Sequence, residues 1–351
     1  MTQQIKTIES IPKVDIHRHL EGSLRLSSLA EIASLEKLPL PGDVEELRSY
    51  VQIAGNQSVE SAEFLAKFKN IRTFFRSREN IQRFVSEIIQ DASYDHIRVL
   101  ELRFTPAALA NAGEFTLEQV VDWVLSAVIS ASQDFGVEVV CVLSVNRHEP
   151  IAIAESVIDI AIDRDGEGVA GVDLAGDEAG FAAEPFKPAL LRAKEAGLGI
   201  TIHAGEWAGA ENVREAIESL EADRIGHGIR ILDNKDVTML AVRRGVVLEV
   251  SLTSNWKTGA IPDLGSHPVR EMIQAGLHIA LTTDDPSIFD TSLSEEFAIA
   301  RKHFDFSMDS VMAFNLTALQ ASFLTKREKK KLEKEFVTAY WGVEETIAPH
   351  R

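Results

Sequence analysis

Short apolar runs alternate with longer amphipathic stretches along most of this chain. Runs rich in β-branched residues lie at 14–16, 99–104, 137–145, 168–174, 199–202, 224–225, 246–251 and 279–282. Each is bounded by Gly, Pro or charged residues, which is how buried strands read. Between most of them apolar positions recur at helical spacing, over 117–134, 151–164, 211–220, 236–244 and 268–275. Eight strands alternating with helices predict a (β/α)8 TIM barrel. The gap from Ile16 to Val99 is too long for one crossover. It predicts a helical insertion after strand 1, over about 20–96. Within it, 42–57 reads as loop plus a short helix, and 58–75 and 78–95 read as helices. Extra C-terminal helices are expected over 307–336, and one barrel domain is expected to span 1–351.

Composition narrows the chemistry. Apolar residues make up 45% of the 351, enough for a large core, yet no run of about 18 apolar residues reads as a membrane span. Residues 1–12 carry no apolar leader core. The net charge of −18 repels phosphate backbones, so no nucleic-acid partner is expected. A small neutral or cationic substrate remains open. The basic stretch 326–334 reads as a solvated helix face. Cys141 is the only cysteine, so no internal disulfide can form, which fits the reducing cytoplasm. One cysteine also excludes the Pro-Cys-x-x-Cys motif of zinc deaminases that act on nucleic-acid bases. Any metal here must sit on His and carboxylate groups.

Four motifs supply such groups, each at the end of an expected strand, where barrel enzymes keep their chemistry. His17 and His19 are two apart, so strand period puts both side chains on one face. His203 closes the run 199–202, and Glu206 follows three residues later. A carboxylate in partly apolar surroundings has a raised pKa suited to proton transfer near neutrality. The bland alternative for Glu206 is an acid in the first turn of the next helix. His227 lies between Gly226 and Gly228 and is open to two readings, a further metal ligand or a base. Asp284 and Asp285 are adjacent and so point in different directions, which suits one to metal and the other to substrate. Three imidazoles and one carboxylate satisfy zinc with an open position for water. His227 is then left to orient the water and help deprotonate it. The run ending strand 4, 172–178, contains no lysine to bridge two metals, so one metal is expected.

These residues resemble the adenosine deaminase family of metal-dependent amidohydrolases. The resemblance runs from Pro12 to about residue 325 and rests on several segments in the family's order: 12–25, 64–68, 100–106, 174–178, 203–206, 224–228, 252–255 and 283–286. It implies one Zn2+ per chain, held by His17, His19, His203 and Asp284. It implies that Glu206 protonates N1 of a purine and relays protons. His227 would orient the water and stabilise the developing alkoxide, and Asp285 would accept a hydrogen bond from that water. His19, Glu21, Phe64, Phe68 and Gly176 would meet the substrate. Gly176 would do so through its backbone, and the two phenylalanines as a hydrophobic lid.

The implied reaction is hydrolysis of adenosine and 2′-deoxyadenosine to inosine-type products and ammonia. Glu21 stands where many adenosine-using members have Asp. Adenine, or a larger N9-substituted adenine such as aminodeoxyfutalosine, is therefore the alternative substrate. A catalytically silent purine-binding barrel is disfavoured, because no ligand position and not Glu206 has been lost. A closed structural zinc site is disfavoured by the spare acid–base groups. No Arg/Lys cluster for a substrate phosphate is evident in the sequence beside these motifs.

Overall fold

The computed structural model describes residues 7–341, apart from residue 54. Residues 1–6, half of the segment read as lacking a leader, lie outside the described residues. Eight parallel strands follow one another in chain order around the sheet: β1 (Lys13–His19), β2 (Ile97–Phe104), β3 (Glu138–Asn146), β4 (Val169–Ala175), β5 (Gly199–Ala204), β6 (Arg224–His227), β7 (Val247–Val250) and β8 (His278–Leu281). All eight expected strands are present. The sheet is joined beyond β8, where Asp284 N–H donates to His17 O and His19 N–H donates to Asp284 O, both at 2.8 Å. This seam makes the (β/α)8 barrel and binds the Asp284 backbone to the strand carrying His17 and His19.

Helices start and stop where local chemistry says they should. Thr116 and Gln119 form a reciprocal capping pair at the start of Leu117–Phe135, and Gly136, at φ +66°, ends it. Asn234 and Gly245 bracket Lys235–Arg244 in the same way. The insertion holds four helices, Leu26–Glu36, Val44–Val51, Ser61–Arg72 and Arg78–Tyr94. The first of these was not expected. The C-terminal region holds two helices, Met308–Ala321 and Lys326–Trp341, the second running past the expected end at 336. Between them the Phe323 ring sits against Gly171 and Gly199, where any Cβ would lie within 2.8 Å of it. Phe323 thereby plugs the floor of the barrel, with the Arg224 guanidinium 3.6 Å from its ring centre. Lys326, Arg327, Lys330, Lys331 and Lys334 are exposed, as a solvated face requires. Among the described residues, no helix is long and apolar enough to cross a membrane.

The barrel interior is charged rather than filled with branched aliphatics. Glu101, Arg103, Asp173, Arg224 and Glu249 are all essentially fully buried. They alternate with apolar residues at period two, so the apolar positions face the helices and the charges face one another. Arg224 pairs with both Glu101 and Glu249 at 2.5 Å, and Arg103 pairs with Glu249 at 3.0 Å.

Glu296 is a buried acid outside this network. It accepts from the amides of Leu252 and Thr253 at 2.8 and 3.2 Å, and so caps the N-terminus of the short helix Leu252–Lys257 that follows β7. Burial raises its pKa to about 7 against those bonds. A raised folded-state value stabilises the protein fully below about pH 4.5, and the effect is lost as pH rises through about 7. The whole swing is about 3 kcal/mol at 1.36 kcal/mol per unit. Glu296→Gln keeps an acceptor there without a charge. Its Tm should fall less than the parent's between pH 6 and 9, and parallel Tm–pH curves would show that Glu296 stays ionised throughout.

Candidate active site

Strand geometry assembles the site at the C-terminal mouth of the barrel. His17 and His19 lie at the end of β1 with ring centres 5.3 Å apart, His203 lies in β5, and His227 ends β6. The His17 ring lies 4.7 Å from that of His203 and 5.2 Å from that of His227. Asp284 Oδ1 is 3.3 Å from His17 Nε2 and 3.4 Å from His19 Nε2. Both His227 and Asp284 have left-handed backbones, at φ +62° and +63°. Such residues cost about 1–3 kcal/mol each and persist only where the surroundings enforce them. At Asp284 the two seam hydrogen bonds do so.

The donor set fits a cation. His17 Nδ1 lies 2.7 Å from the Glu249 carboxylate and His203 Nδ1 lies 2.9 Å from that of Asp173. An ionised carboxylate only accepts, so each Nδ1 carries a proton, and in the neutral ring that leaves a lone pair on each Nε2. His17 Nε2 is buried without a hydrogen-bond partner and faces the Asp284 carboxylate, acceptor against acceptor. A cation resolves that opposition. Ligand atoms of His17, His203, His227 and Asp284 lie within 4.8 Å of one another, as do those of His19, Asp173 and His203. By distance, then, His227 rather than His19 groups with the other three, while His19 Nε2 lies 3.4 Å from Asp284 Oδ1.

Glu206 sits next to the cluster on a loop that another acid organises. The Glu178 carboxylate accepts from four successive amides, Gly205, Glu206, Trp207 and Ala208, at 2.6–3.0 Å. Glu206 lies four residues before helix Ala210–Glu218, whose first-turn acid is Glu211, so the bland reading of Glu206 fails. Its Oε2 is 3.5 Å from His227 Nε2 and its Oε1 accepts from Thr258 at 3.4 Å. Burial, then the charges of Asp284 and Glu178, push its pKa well above the usual carboxylate range.

The adjacent aspartates differ in state. Despite burial, the facing His17 and the surrounding imidazoles hold Asp284 well below the usual range. Burial, then Asp284, Glu21 and Glu206, drive Asp285 well above it. Asp285 Oδ1 is buried with no partner. A Cβ on Gly22 would fall 1.7 Å from that oxygen, so only glycine lets the Glu21 turn approach. Glu21 accepts from Thr105 N–H at 3.1 Å through Oε1, while its buried Oε2 has no partner.

One cavity of about 270 Å³ is lined by His19, Glu21, Phe64, Phe68, Gly176, His203, Glu206, His227, Asp284 and Asp285. Every sequence-derived site residue thus faces it except His17, which is fully buried and meets Asp284 Oδ1. Gly176, at φ +90°, presents bare backbone. Phe64 and Phe68, 5.4 Å apart edge to face, project from helix Ser61–Arg72, and Phe64 also stacks on Phe289. Sequence reasoning missed Arg72, Asn146, His148 and Trp207, which also line the cavity. A single arginine, not a cluster, is therefore the one Arg or Lys on that lining among the described residues. Sequence reasoning gave no role to the supporting Asp173, Glu178, Glu249, Asn255 and His267, although Glu178 and Asn255 lie in the resembling segments 174–178 and 252–255. The only signal of the other three was a polar residue in a position that the fold buries.

Parallel barrels with acid–base groups beside a cation site at the strand C-termini form a class of water-activating hydrolases. Residues 12–339 match the adenosine deaminase family. The chain is 32% identical to the adenosine deaminase of Enterococcus faecalis over 95% of its length and 98% of that relative's. It is 32% identical to that of Clostridium kluyveri over 97% and 98%. Among solved structures it resembles an adenine deaminase from Arthrobacter aurescens (TM-score 0.87, 27% identity, 95% of this chain and 100% of that one). It also resembles an N6-methyl-AMP deaminase from Arabidopsis thaliana (TM-score 0.84, 27% identity, 95% and 98%). The chain belongs to the adenosine deaminase family.

The aromatic edge of the cavity makes a direct prediction. Phe68→Ala should raise KM roughly tenfold, the worth of about 1.4 kcal/mol of lost apolar contact. Phe64→Ala should do so too, with a lower Tm because Phe64 also packs on Phe289. Unchanged KM and kcat in both variants would deny this helix any part in covering the substrate.

Proposed function

We propose that this protein hydrolyses adenosine and 2′-deoxyadenosine to the corresponding inosines and ammonia. The observation that carries the reading is Glu206, a buried acid with a strongly raised pKa beside a histidine–aspartate cluster inside a purine-sized cavity. His17, His19, His203 and Asp284 would hold one zinc ion per chain. When bound, such an ion supplies Lewis-acid activation of water, lowering its pKa towards about 7.

The protein groups do the rest. Gly176 backbone meets the edge of the purine, and Phe64 and Phe68 exclude solvent. Glu206, held protonated, gives its proton to N1, and C6 becomes electrophilic. Water oxygen bonds to C6 while Asp285 accepts a hydrogen bond from that water and His227 steadies the oxygen. Glu206, now a carboxylate, takes a proton from that water and passes it to N6; the C6–N6 bond breaks, ammonia leaves, and the remaining O–H proton returns to Glu206 as C6 becomes a carbonyl. The one cysteine, buried and unpaired, supports a cytoplasmic setting.

A second reading keeps this chemistry and changes the N9 substituent to none or to a larger group. Glu21 keeps it open, since its free, buried Oε2 can take a hydrogen bond from N9–H of adenine as well as from a sugar hydroxyl. The likeness to an adenine deaminase supports it too. Ammonia release by zinc-loaded protein should be compared for adenosine, 2′-deoxyadenosine, adenine and aminodeoxyfutalosine, with AMP as the phosphate-bearing case. The nucleosides should give the highest kcat/KM. Preference for another of these purines would move the substrate and keep the mechanism, and no ammonia from any of them would end the deaminase reading. Glu206→Gln should bind zinc at one per chain and lose roughly 10²–10⁴-fold in kcat. Near-normal turnover would remove Glu206 from the chemistry.

A further inference from the structure

Behind His227, away from the cavity, a string of hydrogen bonds ends on a backbone amide. Val269 N–H donates to His267 Nδ1 at 3.1 Å. A backbone amide can only donate, so that nitrogen carries a lone pair. Burial lowers the His267 pKa to about 3, and the neutral ring has its one proton on Nε2. Nε2 lies 3.1 Å from Asn255 Oδ1, which accepts it. The other end of the same amide, Nδ2, then faces His227 Nδ1 at 3.0 Å and donates. His227 Nδ1 must accept, and its ring proton must lie on Nε2. An imidazolium is excluded by the same geometry, because it would set a second N–H against a donor. Each step forces the next, and the direction is set by an amide whose role is beyond choice.

The consequence reaches the cavity. His227 Nε2 is the nitrogen that looks at Glu206 Oε2, 3.5 Å away, and at the histidine–aspartate cluster. A protonated nitrogen offers no lone pair to a cation and cannot take a proton from water. The expectation that His227 helps deprotonate the water is therefore replaced. Resting on the hydrolytic reading above, we propose that Asn255 and His267 are positioning residues that lock His227 in its Nε2–H form. His227 is thereby made a hydrogen-bond donor to the reacting oxygen, and it is kept out of the ligand set. The third imidazole place, which distance assigned to His227, then falls to His19, 3.4 Å from Asp284 Oδ1. The left-handed backbone of His227 supports the same role, since it aims the ring between the cavity and Asn255 at a conformational cost.

The test reads the tautomer directly. Long-range nitrogen–proton NMR of ¹⁵N-histidine-labelled, zinc-loaded protein separates Nε2–H from Nδ1–H rings, and loss of one signal set in His227→Gln assigns it. The parent should show His227 as Nε2–H; an Nδ1–H or doubly protonated ring would overturn the proposal. This readout stands even if the substrate reading fails. Asn255→Asp is nearly isosteric but presents an acceptor to His227 Nδ1, so the ring should switch form. Zinc should stay at one per chain or rise in affinity. KM should change less than about threefold, and kcat should fall roughly 10²–10³-fold, as when a donor to a developing oxyanion is removed. His267→Gln can still offer an N–H to Asn255 and should retain most of kcat, whereas His267→Leu should not. Equal activity in Asn255→Asp and the parent, or equal losses in the two His267 variants, would sink the relay.

Discussion

The carboxylate of Glu249 is the joint on which this barrel turns. It accepts from His17 Nδ1 at 2.7 Å, Arg103 at 3.0 Å, Thr201 at 3.1 Å and Arg224 at 2.5 Å. Those partners come from β1, β2, β5 and β6, so one side chain of β7 ties together most of the barrel. Burial alone would raise its pKa, but Arg103, Arg224 and the His17 bond overrule that and hold it ionised. A buried charge of this kind is tolerated only with full pairing, and removing one partner costs about 3–5 kcal/mol. The network is thus all-or-nothing, and its upper edge is the active site. Through His17 it fixes which ring nitrogen faces Asp284, and Asp173 does the same for His203. Scaffold stability and the availability of two metal-facing lone pairs are one arrangement of charges.

Strain sits where the chemistry needs aim. Asp284 and His227 are both left-handed and flank the same cavity. The β1 seam enforces the first, while Asn255 grips the ring of the second. Nearby glycines serve close approach: Gly22 makes room for Asp285, and a Cβ on Gly226 would crowd the His17 ring at 3.2 Å. The site is therefore rigid at its floor, and its aromatic edge on Ser61–Arg72 belongs to the insertion rather than to the barrel.

Much of this was legible in advance. Period two announced that His17 and His19 share a face, and the positions of His203, His227 and Asp284 after apolar runs placed them at one end of the barrel. Glu206 could be weighed but not decided, because its pKa depends on burial beside Asp284 and Glu178. Glu249 was invisible for another reason. In Val-Leu-Glu-Val a charged residue reads as the solvent side of a strand, but a closed barrel has no solvent side. His267 and Asn255, twelve residues apart, likewise carried no local sign that they meet.

The chain by itself determined the element order, the barrel, the ligand-capable residues and the excess of acid, since these follow from local periodicity and residue chemistry. Only the tertiary structure decided what state each of those residues is in. Which nitrogen of His17, His203 or His227 holds a proton, and which of Asp284 and Asp285 is ionised, depends on partners brought from distant strands into a low-dielectric interior. Proton positions are set by neighbours, and neighbours are what folding supplies.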